Sequence, residues 1–182
     1  MEELIEKAKQ GNELAFKQLI ESIINDLYRI AKTRLNDDND INDAIQNTMI
    51  ITYKNIKKQK DIKFFKTWII HVLINECNKI YNSNKKHKFV WNKLIKISTE
   101  FSNEDSIQIV NDKINFEYLI NKLEYKEKLI VTLYYNNDFS CEQISKILKM
   151  KKSTVKSILL RARKKIKNFY EGGIYDVKWW VW

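Results

Sequence analysis

The chain has 182 residues, of which 44% are hydrophobic and 12% aromatic, and 33 Lys and Arg against 23 Asp and Glu give a formal charge of +10. That much apolar material suffices for one medium domain or two small ones and excludes wholesale disorder. Three glycines and no proline leave too few turn residues for sandwiches, barrels or Gly-rich nucleotide folds, so the composition points to an all-α protein.

No apolar run approaches the roughly 20 residues of a membrane span, and the start MEELIEKAKQ lacks a signal peptide's apolar stretch. Cys77 and Cys141 lie far apart, which suits free thiols in a reducing compartment, and the expectation is a cytoplasmic protein. The basic excess points to a polyanionic partner. Lys outnumbers Arg 29 to 4, a bias expected of A/T-rich codons, so position must outweigh composition.

From Glu2 to about Asn36, apolar residues recur at helical spacing: Leu4, Ile5, Ala8, then Ala15, Phe16, Leu19, Ile20, Ile23, Ile24, Leu27 and Ile30. Gly11-Asn12 divides this stretch into a short helix and one longer helix. Asn36 to Asp40 reads as a turn ending in N-cap residues, followed by a helix from about Ile41 to Ile56. A basic loop, Lys57 to Asp61, precedes a third helix from near Phe64 to about Tyr81. These helices form a bundle. Asn82 to Lys88 is polar and basic without apolar periodicity. The stretch to Asp112 is weakly patterned and reads as a linker, with a short helix around Phe89 to Ile97.

A second helical block runs from near Ile114 to near Phe169. Ile114 to Leu123 and Lys126 to Tyr135 read as amphipathic helices, and Asn136 to Phe139 as a turn. Ser140 and Gln143 make a capping box that opens a helix with Ile144, Ile147 and Leu148 on one face. After a turn at Lys149 to Lys152, Ser153 or Thr154 is expected to cap the last helix. There Val155, Leu159, Ala162 and Ile166 face inward, leaving Thr154, Lys156, Ser157, Arg161, Lys164 and Lys165 outward. This pattern is a helix-turn-helix, whose second helix enters the major groove. Residues 140–170 hold ten Lys or Arg against the single acid Glu142.

The run LEYKEKLIVTLYYNNDFSCEQISKILKMKKSTVKSILLRARKKIK resembles region 4 of bacterial RNA polymerase sigma factors, most closely the small extracytoplasmic-function (ECF) group. The nearest stretch is Thr154-Val155-Lys156-Ser157 with Leu159, Arg161, Ala162 and Arg163. The first block is similar to region 2: Gly11-Asn12 with Ala15, Phe16 and Leu19, then Asp43, Ala44 and Gln46, then Phe65, Trp68, Ile69, Val72 and Asn75. Departures from the family pattern include Glu124 for a proline, Lys149 for the turn glycine, Asn47 for a glutamate and Ile158 for an arginine, the last read as a lost DNA contact.

The resemblance implies two small helical domains joined by a flexible linker: residues 1–84 as region 2, 85–112 as the linker, 113–170 as a four-helix region 4, and 171–182 as an aromatic tail. It implies promoter DNA and core RNA polymerase, through its clamp helices and flap, as partners, with an anti-sigma factor as a further one. No cofactor, metal or small-molecule substrate is expected, and no enzyme activity. The minus-35 contacts are expected from Lys152, Ser153, Thr154, Lys156, Ser157 and Arg161, which can meet base edges, with Lys164 and Lys165 on phosphates. The minus-10 set is Lys63, Phe64, Phe65, Trp68, Asn75 and Lys79, because melting a promoter needs aromatic faces, cations and an amide for unstacked bases. Phe65 and Trp68 also suit a core, Trp68 sharing a stripe with Val72, which leaves Phe64 as the exposed aromatic. Asp43, Gln46, Asn47 and Ile50 fall on one stripe as the polymerase-docking face, although Ile50 also suits the bundle interior. A stand-alone LuxR-like regulator would use the same helix-turn-helix, but residues 1–81 lack the βα alternation of a receiver domain.

Overall fold

The computed structural model describes residues 1–59, 61–95 and 116–171. The tail, most of the expected linker and the start of the helix expected at Ile114 lie outside the described residues. All regular elements among the described residues are helical, and the chain divides into Met1–Asp112 and Lys113–Trp182.

The first unit contains α1 (Glu2–Lys9), α2 (Glu13–Glu21), α3 (Ile24–Ala31), α4 (Asp38–Asn55) and α5 (Phe65–Ile95). Gly11 ends α1 at φ +94°, where its N–H and that of Asn12 donate to the carbonyls of Ala8 and Lys7. This is a Schellman stop, and its glycine adopts a backbone that other residues resist. Asn12 then caps α2, its Oδ1 accepting from the Ala15 N–H at 2.9 Å.

The single long helix expected over Ala15 to Ile30 is in fact α2 and α3. Ser22 donates its hydroxyl to the Leu19 carbonyl at 2.7 Å and Ile23 breaks from helical geometry, yet Ile23 stays buried. The break is so short that the apolar register passes through it, which is why periodicity alone reads one helix. Helix α4 starts inside the expected turn, because Asp37 accepts the N–H groups of Asn39 and Asp40. Short 3₁₀ turns occupy Ile56–Lys58 and Ile62–Phe64.

Helix α5 continues to Ile95, through the stretch read as a linker from residue 85. With no proline or glycine between 65 and 95, nothing in the backbone stops it; the polar run at 82–88 interrupts the apolar pattern, not the helix. Leu27, Ile30, Ile41, Phe65, Ile69 and Leu73 are almost fully buried on α3, α4 and α5, which pack together, and Leu19 is as deeply buried on α2. Each such side chain contributes about 1.5–3 kcal/mol by burial.

The second unit contains α6 (Phe116–Asn121), α7 (Tyr125–Val131), a π-helical turn (Thr132–Asn136), α8 (Cys141–Leu148) and α9 (Lys152–Glu171). Helix α9 lies against α6, α7 and α8. Its inward residues are Val155, Ile158, Leu159 and Ala162, joined by Ile130, Leu133, Ile144 and Ile147. Ile158 is 5% exposed and therefore belongs to the core, so the reading of this position as a lost DNA contact is corrected. At i+3 from Val155 it widens the inward stripe from one row to two.

Candidate nucleic-acid interface

Helix α9 is set in place from both ends. At its start, α8 opens on the expected capping box: Ser140 Oγ accepts from the Gln143 N–H at 3.2 Å, and Gln143 Oε1 accepts from the Ser140 N–H at 2.9 Å. Helix α8 ends at Lys149 in the left-handed conformation, φ 51° and ψ 44°. The Met150 N–H returns to the Ser145 carbonyl, closing the turn into α9. The caps expected at Ser153 or Thr154 are not used as such. Helix α9 begins earlier, with the Val155 N–H donating to the Lys151 carbonyl, and both hydroxyl residues sit in its first turn.

Farther along, Lys165 reaches both carboxylate oxygens of Glu127 at 2.8 and 2.9 Å. The Glu127 side chain is only 8% exposed and also accepts from the Glu124 N–H, within the capping box of α7. A carboxylate so enclosed needs a partner charge. Lys165 is thus a brace between α9 and α7, which corrects its expected place on a phosphate. Arg163, exposed on the surface, donates its Nε to the Tyr135 hydroxyl at 2.6 Å and so is also engaged within the second unit.

The remaining outward residues form one surface. Lys152, Ser153, Thr154, Lys156, Ser157, Arg161 and Lys164 are all exposed. Lys152 is shared with Glu142, 3.4 Å away, which also pairs with Lys146 at 3.4 Å. These two ammonium groups hold the Glu142 carboxyl below the usual carboxylate range. Lys156, Arg161 and Lys164 have no carboxylate partner among the described residues. Leu160, 55% exposed between them, was missed by sequence reasoning. It stands off the inward stripe, and that offset is the signal that finds it.

In the first unit, Asp43, Gln46, Asn47 and Ile50 are all exposed on α4. Ile50 is 46% exposed, which overturns its interior reading, and Tyr53 extends the same face. Asp43 and Gln46 line a cavity of about 410 Å³ with Ile24, Tyr28 and Met49; the last three are not evident from spacing because they come partly from α3.

The minus-10 candidates do not all share one surface. Phe65 is 1% exposed and its ring lies 5.9 Å from that of half-buried Trp68, tilted by 52°, so Phe65 is corrected from a base contact to a core residue. Phe64, one position earlier at the end of a 3₁₀ turn, is 46% exposed beside exposed Lys63. Asn75 is exposed about three turns into α5, its Nδ2 meeting His71 Nε2 at 3.2 Å. Asn75 and Lys79 line a second cavity, of about 460 Å³, that includes Glu76, absent from the sequence-derived set. Among the described residues no His, Cys, Asp and Glu group could hold a metal ion, and no helix is long and apolar enough to cross a membrane.

Residues 19–87 match the model of Sigma-70 region 2 and residues 113–166 that of Sigma-70, region 4. The chain belongs to the sigma-70 family. Its similarity extends to ECF sigma factors: it is 23% identical to SigM of Bacillus subtilis over 90% of this chain and 99% of that one. It is 26% identical to the sigma-E factor of Haemophilus influenzae over 91% and 92%. Two solved structures share its fold. CnrH, solved with the cytosolic domain of CnrY, aligns with a TM-score of 0.66 at 17% identity, covering 94% of this chain and 97% of that one. The sigma factor RpoE of Bartonella quintana, solved with the anti-sigma factor NepR, gives 0.64 at 19%, covering 86% and 96%. Both sigma regions are thus present in order, and a LuxR-like regulator is not favoured.

Proposed function

We infer that this sigma factor works as a non-catalytic subunit of RNA polymerase in the cytoplasm, with the second unit reading the minus-35 element and the first opening and reading the minus-10 element. The observation that carries this reading is the row of exposed Lys156, Ser157, Arg161 and Lys164 on α9, beyond a capped turn and free of carboxylate partners among the described residues. A basic and hydroxylic row at the start of a recognition helix supplies donors to guanine acceptors and contacts to phosphate. Lys152, Ser153 and Thr154 in the first turn belong to the same surface, and Lys164 lies far enough along to position the helix on phosphate.

In the first unit, Phe64 provides an exposed aromatic face and Lys63 a cation for an unstacked strand; such stacking contributes about 1–3 kcal/mol per base. Asn75 and Lys79 add edge and phosphate contacts, with Trp68 supporting them from the half-buried side. Asp43, Gln46, Asn47 and Ile50 form the face for the polymerase clamp helices, and the second unit meets the flap. An anti-sigma factor covers these surfaces when the protein is idle, by analogy with the relatives solved bound to CnrY and NepR.

The deciding experiment reconstitutes core polymerase with this protein and measures binding and transcription from a mapped promoter. Wild type associates and initiates. Lys156→Ala loses promoter affinity, whereas Lys7→Ala, on an exposed lysine paired to Glu3 at 2.6 Å, does not. Equal promoter binding by the two variants would refute the assignment, and failure to associate with core polymerase would refute the function.

A further inference from the structure

We propose that the aromatic segment beyond α9, residues 174–182, folds back over the exposed face of α9 and covers its cations and hydroxyls, so that tail and promoter compete for one surface. The proposal rests on the reading of α9 as the minus-35 helix and adds an occupant for that face when DNA is absent.

The face offers both apolar and charged footholds. Lys156, Leu160 and Lys164 recur at four-residue spacing and so form one ridge, with Ser157 and Arg161 beside it. All five are exposed. Leu160, 55% exposed, is an apolar step in a row otherwise built of cations and hydroxyls. Lys156, Arg161 and Lys164 have no carboxylate partner among the described residues.

The segment that follows suits this face in reach, pattern and charge. Gly172 and Gly173 come directly after Glu171, the last residue of α9. Two glycines give the backbone the freedom that a reversal at a helix end requires. Seven of residues 174–182 are apolar or aromatic, surface that gains from leaving water. Tyr175, Val177, Trp179 and Val181 alternate, so an extended chain presents all four on one side. An extended residue advances about 3.3 Å and a helical one about 1.5 Å, so each tail residue passes roughly two residues of α9. Running antiparallel to α9, the tail brings Asp176 beside Lys164, carries Val177 to Trp179 past Leu160, and sets Trp180 near Lys156. Asp176 is the single acid among residues 174–182 and meets a lysine that lacks one. Lys156 and Arg161 supply cations to the indole faces. Because the tail is tethered to the helix it covers, a weak contact suffices to hold it there.

The test compares the full chain with one ended after Gly173, which keeps every described element, on a duplex carrying the minus-35 element of a promoter mapped for this protein. Ending the chain should tighten duplex binding about tenfold, the change expected if the tail covers α9 in about nine molecules of ten. In the full chain, Trp179→Ser should give part of that gain, and Asp176→Asn a smaller part that fades with added salt. Acrylamide quenching of the tail tryptophans, taken as the difference between full and ended chains, should rise severalfold when duplex is added. It should not change across a hundredfold range of protein concentration. Duplex binding unchanged by ending the chain overturns the proposal, as does tail quenching unaffected by duplex. Protection that grows with protein concentration overturns it in favour of contact between copies. Lys156→Ala separates the two levels of the argument. If it binds duplex as tightly as wild type, the reading of α9 fails; if it weakens binding while ending the chain changes nothing, the tail proposal alone fails.

Discussion

Residues 1–84 carry thirteen Lys and Arg against twelve Asp and Glu, whereas residues 140–170 carry ten against one. In the first unit the candidate contacts are an exposed aromatic, amides and an acid-lined cavity; in the second they are cations and hydroxyls along one helix face. Duplex DNA presents phosphate on all sides, so a module that finds it benefits from sheer positive charge. Unpaired bases expose faces and edges, which concavities and aromatic rings recognise with little net charge. On the proposed reading, one protein divides its work between long-range attraction and short-range discrimination.

The sharpest way to break this comparison lies in two adjacent phenylalanines. Phe65→Ala is expected to cost about 3–5 kcal/mol, because it empties a filled core position; a thermal melt reads it directly. Phe64→Ala should leave the melt within about 0.5 kcal/mol but reduce open-complex formation, as followed by permanganate footprinting. If the two variants behave alike, the first unit does not present Phe64 to DNA.

In the second unit, Arg161→Ala should weaken minus-35 binding by about 1–3 kcal/mol and relax preference at one base pair, whereas Lys164→Ala should weaken all sequences alike and lower the salt slope by about 0.9. Quantitative shift assays across salt separate the two. Thiol labelling is expected to divide the units as well. Burial pushes the Cys77 thiol up to about 12, so at pH 8 it should resist iodoacetamide, whereas half-exposed Cys141 reacts. The raised value also sets a sign: the neutral buried thiol stabilises the fold below a free thiol's ordinary range, and that contribution is lost as pH rises toward 12. Equal labelling rates would show that the Cys77 site opens readily. The smallest expected effect is at Lys149, a lysine in left-handed backbone. Lys149→Gly should raise the melting free energy of the second unit by about 0.5–1 kcal/mol, with no loss of promoter binding.

Much of this was legible in the residues themselves. The Ser140–Gln143 box and the Gly11-Asn12 stop are local chemistry, and both act as their sequence implies. What escaped depends on tertiary neighbours or on register too fine for a pattern. Phe64 and Phe65 are indistinguishable by composition, and one residue of helical phase decides which is buried. Ile158 reads as a surface substitution until α9 is seen to bury two rows. Lys165 looks like any other cation in a basic run, and only the enclosed Glu127, 38 positions away, shows its role. The polar run at 82–88 hides the continuity of α5, so that its last turns from Phe89 onward read as a separate short helix. Glu76 went unnoticed because a lone acid carries no motif; its meaning comes from the cavity around it.

The ion pairs of the second unit change what a titration with potassium chloride should report. Lys165 is committed to Glu127, and Lys146 and Lys152 share Glu142, so these lysines already have internal counterions before DNA arrives. Fewer small ions are displaced from the double helix than a formal count of basic residues implies. Counting Lys and Arg therefore overstates this protein's sensitivity to cellular salt, because a carboxylate placed beside a lysine lowers that lysine's share of it.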